Sequence, residues 1–410
     1  MNFYLVIIVT ALTVEFLVNR VTGMLNIRSL SSALPEEFKN IYDKEKYSKS
    51  QSYTRTNEKF DMAADTFSYV IIICMIIFGF FNIIDVWVRN FGFQSEVING
   101  LLFFGLFILI QDIISSPFSL YKIFVIEEKY GFNKMSLSTY FLDKLKSLFL
   151  MVLLGGPMLS LILYFFETFD NTAWLYAWCI VSGFILILQP LFTTFIAPLF
   201  NTFTPLEEGE LRSAIESYAK NVDFPISRID VMDGSKRTSH SNAYFSGIGK
   251  RKRIALFDTL LEKQTSQEIL AIVAHEVGHF KKKHIQQGIL ISILNSGIMF
   301  YLISVFMKNQ ILFEAFQMNQ ISVYGSLIFF QILFSPLSTI ISVFANALSR
   351  RNEFEADEYS AKTTGEPENL ISGLKKLTVE NLGNLTPHPL NVFLNFSHPP
   401  VLERIRALSS

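Results

Sequence analysis

The chain has 410 residues, half of them hydrophobic and only 17% charged, against the roughly 25% charged residues of an ordinary soluble domain. Its net charge of −1 gives no reason to expect nucleic acid as a partner. Its two cysteines, Cys74 and Cys179, lie in apolar runs and form no CxxC motif, so no disulfide framework organises the fold.

The charge deficit is concentrated in long apolar runs, which places the chain among integral membrane proteins. A spanning helix needs roughly 20 mostly apolar residues. Seven segments approach that length: 3–19, 67–88, 97–118, 147–166, 173–200, 286–307 and 324–346. In the first, Arg20 and Arg28 follow the apolar stretch and Glu15 interrupts it, the pattern of an uncleaved anchor and not of a signal peptide. The fifth is too long for one straight span, and Pro190 and Pro198 predict a kink or break near its end.

Basic residues alternate between the connections. Segment 20–66 runs from Arg20 and Arg28 through Lys59, whereas the next connection carries only Arg89; 119–146 is again basic and 167–172 has none. The positive-inside rule therefore places the N-terminus outside and 20–66, 119–146, 201–285 and 347–410 in the cytosol. This divides the chain into a membrane domain (1–200), a cytosolic unit (201–285), spans six and seven (286–346) and a cytosolic C-terminal segment (347–410).

Residues 201–285 read as a small α+β unit. A polar helix is predicted over Glu207–Val222, then strands around Arg228–Met232 and Asn242–Ser246, a turn at Gly247 and Gly249, and a strand at Arg253–Phe257. Thr265-Ser-Gln-Glu268 is a capping-box signature directly before an apolar run. The helix it starts carries His275-Glu276-Val277-Gly278-His279. Residues i and i+4 share a helical face, so His275 and His279 can aim two imidazoles at one metal ion, with Glu276 beside it to accept a proton from bound water. Lys281–Lys283 and His284 read as a solvated helix end.

A catalytic zinc site takes three protein ligands and keeps one position open. If the seventh span continues into the cytosol as a helix, Glu353 and Asp357 share a face at i and i+4. Glu353 can then ligate zinc while Asp357 holds a ligand histidine by its other ring nitrogen. Glu355 and Glu358 are expected on the solvent side.

The chain resembles the type I CaaX prenyl proteases, integral membrane zinc metalloproteases. The resemblance runs through Leu34–Lys39, Tyr47–Tyr53, Phe124–Asn133, Met232–Arg237, Ser239–Phe245, Phe257–Leu261, the HEVGH segment, Glu353–Asp357 and Ser397–Arg404. It implies a mainly α fold of seven transmembrane helices around an intramembrane chamber, with a small α+β metalloprotease unit at the cytosolic end. It also implies one Zn2+ held by His275, His279 and Glu353, with Glu276 as base and Asp357 supporting a ligand. His398 resembles a histidine that stabilises the oxyanion, Arg404 an arginine at the substrate end of the cleft, and Asn242 a residue that bonds the substrate backbone. An extended peptide adding to a free strand edge gives that last role its physical sense. The expected partners are the bilayer and a peptide or protein substrate, possibly prenylated. The setting is the endoplasmic reticulum membrane in a eukaryote or the inner membrane in a bacterium.

Two other functions compete. A quality-control protease of the HtpX type shares HExxH but has fewer spans. A transporter or channel is suggested by Glu15, Asp85, Asp112 and Glu167 in or near the spans, because intramembrane charges usually face water or partners. A transporter, however, leaves HEVGH without a purpose.

Overall fold

The computed structural model describes residues 2–246 and 252–410. Among them, seven helices are long and apolar enough to cross a membrane: α1 (Phe3–Ser29), α2 (Lys44–Ile77), α3 (Glu96–Tyr130), α4 (Leu137–Thr168), α5 (Asp170–Leu188), and two later ones, His284–Phe306 and Val323–Thr364. The side chains of Asn2, Asp43 and Ser95 cap the first three by accepting from backbone N–H groups of the first turn.

The second predicted span, 67–88, is two helices. α2 ends at Ile77, Gly79 takes a left-handed conformation (φ 64°), and a short helix follows over Phe80–Arg89. Gly79 adopts that φ without the steric cost any other residue would meet. The kink or break predicted from Pro190 and Pro198 is a π-helical turn at Phe192–Ile196, between the two prolines.

The spans touch one another along narrow seams. Only 6% of the most apolar window of α2 and of α4 is buried, and no more than 22% in any span. They are drawn together at one end, where the connections 78–95 and 307–322 meet. Phe316 stacks on Phe329 with ring centroids 3.9 Å apart. Buried Phe81, Phe103 and Tyr324 complete an aromatic core there, and Tyr324 donates to the buried carboxylate of Asp85, which also pairs with Arg89. Helices fastened at one end and sparsely packed along their length surround an intramembrane chamber.

The other end carries the α+β unit. Strands β1 (Phe203–Pro205), β2 (Ile226–Met232), β3 (Ala243–Ser246) and β4 (Lys252–Phe257) form one sheet in the order β1-β2-β4-β3. β2 and β4 are parallel and the other pairs antiparallel, so β3 is an edge strand. The polar helix spans Glu210–Asn221. The turn predicted at Gly247 and Gly249 lies outside the described residues. Against the sheet lies α6 (Ser266–Lys281), which buries Ile269, Val273 and Val277 in a core shared with Ile215, Leu256 and Leu370. The chain then returns to the membrane as α7 (His284–Phe306) and α8 (Val323–Thr364). The 42 residues of α8 make a rod of about 63 Å, twice the thickness of the hydrocarbon core. Its C-terminal third therefore projects beyond the spans and lies along α6.

Candidate metal centre and active site

The start of α6 is fixed from both sides. Glu268 N–H donates to Thr265 Oγ1 (3.3 Å) and Thr265 N–H to Glu268 Oε2 (2.8 Å), a complete capping box. The same carboxylate accepts from Ser372 Oγ (2.6 Å) and Lys376 Nζ (2.8 Å). Nine of the helix's 16 residues are buried, so the side chains it presents are held by packing.

One of those positions is glycine for a steric reason. A Cβ at Gly278 would lie 3.1 Å from the Cα and O of Ala356 and 3.2 Å from Tyr359 Cβ. Its absence lets α8 approach closely, and that approach delivers Glu353. The Nε2 atoms of His275 and His279 are 3.1 Å apart; Glu353 Oε2 is 3.5 Å from His275 Nε2, and Oε1 is 3.3 Å from His279 Nε2. Ligands about 2.05 Å from a tetrahedral zinc would be roughly 3.3–3.4 Å from one another. The three residues therefore fit the ion they are read to hold. Glu353 Oε2, buried and without a hydrogen bond, fits a metal-ligand atom in the same way.

Behind the cluster stand two more charges. His275 Nδ1 is 2.8 Å from Asp357 Oδ1. Arg404 donates to both Asp357 oxygens (2.7 and 2.6 Å), and its Nη1 is 3.4 Å from Glu353 Oε2. Burial disfavours a charged His275, but the carboxylates of Asp357 at 2.8 Å and Glu353 at 3.5 Å outweigh that and push its pKa up to about 9. Burial also lifts Glu276 above the ordinary carboxylate range, opposed by His275 and His279.

The remaining residues of the sequence pattern surround the cluster. His398 stands in the turn between Pro389–Asn395 and the C-terminal helix Val401–Ser409. Two-thirds of its side chain is exposed, and its Nε2 is 3.4 Å from Glu353 Oε1. Arg350 Nη1 donates to the carbonyls of Val392 (3.0 Å) and Phe396 (2.6 Å), and Asn346 to that of Leu394 (3.0 Å), which fastens this turn to α8. Asn242 is exposed at the start of edge strand β3. A cavity of about 460 Å³ opens beside Glu276 and His279 and runs between α7 and α8, lined by Phe245, Gly288, Ala345 and Leu348. Arg404, expected at the substrate end of the cleft, is buried with its guanidinium on Asp357 and Glu353.

His284 departs from its expected place at a solvated helix end. It is buried, with Nδ1 3.0 Å from His279 Nδ1. The left-handed Lys283 (φ 61°) turns the chain between α6 and α7 and so brings the ring back under the cluster. Glu355, also expected in solvent, is partly buried and 3.4 Å from His284 Nε2. Glu358 is exposed beside Lys362. The five-residue spacing from His279 to His284 gives no helical register, which is why the sequence conceals their contact.

Residues 24–202 match the family model described as CAAX prenyl protease N-terminal, five membrane helices, and residues 205–410 match that of peptidase family M48. The CAAX prenyl protease 1 homologue of Mus musculus is 35% identical over 94% of this chain and 90% of its own length. The chain belongs to the CAAX prenyl protease family within the M48 peptidases. CAAX prenyl protease 1 of Saccharomyces cerevisiae is likewise 35% identical, over 92% of this chain and 88% of that protein. The crystal structure of S. mikatae Ste24p superposes with a TM-score of 0.94 at 32% identity, covering 99% of both chains. This M48 peptidase is thus a multi-pass membrane metallopeptidase, acting on peptide or protein substrates within reach of lipid.

Proposed function

We propose that the protein is a zinc endopeptidase that removes the C-terminal tripeptide from prenylated CaaX-type peptides at the cytosolic face of its membrane. The observation that carries the chemistry is the near-tetrahedral spacing of His275, His279 and Glu353 next to Glu276. The full-length similarity to CAAX prenyl proteases supports the substrate class over HtpX-type quality control. Held by His275, His279 and Glu353, zinc supplies Lewis acidity toward the scissile carbonyl and lowers the pKa of a water.

The chain's own residues do the rest. Glu276 takes the proton of the attacking water and returns it to the leaving amine as the C–N bond breaks. A carboxyl raised by burial suits both halves of that task. His398 donates to the carbonyl oxygen as negative charge builds on it. The free edge of β3, with Asn242 directly before it, binds the substrate backbone in an extended form. Asp357 holds His275 in the tautomer whose Nε2 faces the metal, and Arg404 keeps both carboxylates in place. The cavity between α7 and α8, lined by Phe245, Ile291, Ala345 and Leu348, offers apolar surface to a lipid-modified side chain.

The test is a cleavage profile of a CaaX peptide library with and without a farnesyl group on cysteine. The proposal expects farnesylated peptides to be cut after the modified residue, releasing a tripeptide. Equal cleavage of unmodified peptides at unrelated positions would favour the quality-control reading. Orientation is tested by cysteines at Lys46 and Asn319. The first should react with an impermeant reagent only from the cytosolic side and the second only from the opposite side.

A further inference from the structure

We propose that His284 and Glu355 are positioning residues for His279, forming a relay from α8 through the first residue of α7 to a metal-binding ring on α6. The inference rests on the reading of His279 as a zinc ligand, and the geometry allows one assignment of hydrogens. His279 Nε2 faces His275 Nε2 and Glu353, so its lone pair points into the cluster and its hydrogen sits on Nδ1. That Nδ1 is 3.0 Å from His284 Nδ1, which must then accept. The hydrogen of His284 is thereby placed on Nε2, and Nε2 is the atom that faces Glu355 Oε2 at 3.4 Å. Glu355 is held in turn by Arg351 Nε, 2.9 Å from its other oxygen.

Each group in this chain fixes the next. The carboxylate selects the tautomer of His284, His284 selects the tautomer and ring plane of His279, and the lone pair of His279 is aimed at the metal. Metal-bound histidines characteristically donate their second N–H to a fixed acceptor, which raises their basicity. His275 has a carboxylate in that place, Asp357 at 2.8 Å. For His279 the acceptor is a second imidazole, and its carboxylate stands one step further back. His284 is 7% exposed, and its ring is set between His279 Nδ1 and Glu355 Oε2. The relay also spans three helices: α6 carries the ligand, α7 the intermediate ring and α8 the carboxylate, and both α7 and α8 enter the membrane. Glu353 comes from α8 as well, so both sides of the cluster depend on how α7 and α8 emerge from the bilayer.

The experiment measures zinc affinity of the full-length protein in detergent by competition with a chromophoric chelator. It also records the visible spectrum of the cobalt-substituted form. His284→Ala should weaken zinc binding by about 10–100-fold, the usual cost of removing such a partner, and alter the cobalt spectrum. In His284→Asn the amide oxygen lies near the position of the lost Nδ1 and can accept from His279. That variant should recover zinc affinity to within about threefold of wild type, with the wild-type spectrum. Glu355→Ala, at a partly exposed position, removes the acceptor of His284 Nε2 and should weaken zinc several-fold.

Equal loss in the Ala and Asn variants would reduce His284 to a packing role and overturn the proposal. So would zinc affinity in His284→Ala within twofold of wild type. If His284→Ala does not fold, unchanged affinity in Glu355→Ala overturns it instead. His279→Ala is the control for the underlying reading. Should it bind zinc as wild type does, His279 is not a ligand, and the metal-site assignment fails before the relay is tested.

Discussion

Replacing Gly278 with alanine separates the geometry of the metal site from the stability of the fold. The added Cβ would stand 3.1 Å from two backbone atoms of Ala356, whereas carbon atoms in contact rest at about 3.5–4.0 Å. The backbone of α8 cannot rotate away as a side chain would, so it must retreat from α6 by about 0.4 Å or more. Glu353 is on the same rigid helix, three residues and about 4.5 Å along the axis from that contact, and it moves with it. Metal sites tolerate ligand displacements of only about 0.2 Å, so the zinc site is strained by twice what it accepts. Stability responds less. Overpacking costs about 1–3 kcal/mol, and the better helix propensity of alanine returns about 1 kcal/mol, leaving a net loss of about 0–2 kcal/mol. Gly278→Ala should therefore fold and lose at least about tenfold in zinc affinity by chelator competition, a loss of the size seen when a ligand's support is disturbed. Gly183→Ala on α5, where no atom lies within 4 Å of the new Cβ, should leave zinc binding unchanged. Wild-type zinc affinity in a folded Gly278→Ala protein would refute the claim that this close approach sets the position of Glu353.

Glu276→Ala should keep its zinc and lose turnover, because the proton acceptor goes while all three ligands stay; metal analysis beside a cleavage assay separates the two, and loss of the ion would reverse the assignment of base and ligand. His398→Ala should lower kcat by about 10²–10³ with zinc content unchanged, the range for removing one donor to a developing oxyanion; a neutral variant would return His398 to a structural role. Arg404→Ala leaves Asp357 buried without its bidentate partner, which should cost about 3–5 kcal/mol in denaturant unfolding, and a loss under 1 kcal/mol would show the pair to be dispensable. Zinc uptake at pH 7 should release a proton from His275, whose metal-free pKa lies at about 9. Apparent affinity should thus fall by about tenfold per pH unit below that value and level off above it, and calorimetry in buffers of different ionisation enthalpy that detected no proton release would contradict this.

The seven spans and the HExxH helix were legible because each depends on a local pattern: an apolar run of fixed length, a capping box, an i, i+4 pair. The reach of α8 was legible for the same reason, since Glu353 and Asp357 share its face four residues apart. What escaped the sequence depends on contacts between elements distant in the chain. Gly79 lies inside an apolar run, and hydropathy continues through it while the helix does not. The glycine of HEVGH stands between two ligand positions, but its reason is Ala356, 78 positions along the chain. His284 follows three lysines and so looked solvated; a single left-handed residue, Lys283, turns it inward. Arg404 had no pattern to tie it to Asp357, and only the fold brings the C-terminal helix against α8.

The most direct test of the central claim is an anomalous difference map of the purified protein at the zinc edge. The account predicts one peak per chain, about 2.0–2.2 Å from His275 Nε2, His279 Nε2 and a carboxylate oxygen of Glu353, and lost in Glu353→Ala. A map with no peak there, or with its strongest peak on other residues, would contradict it.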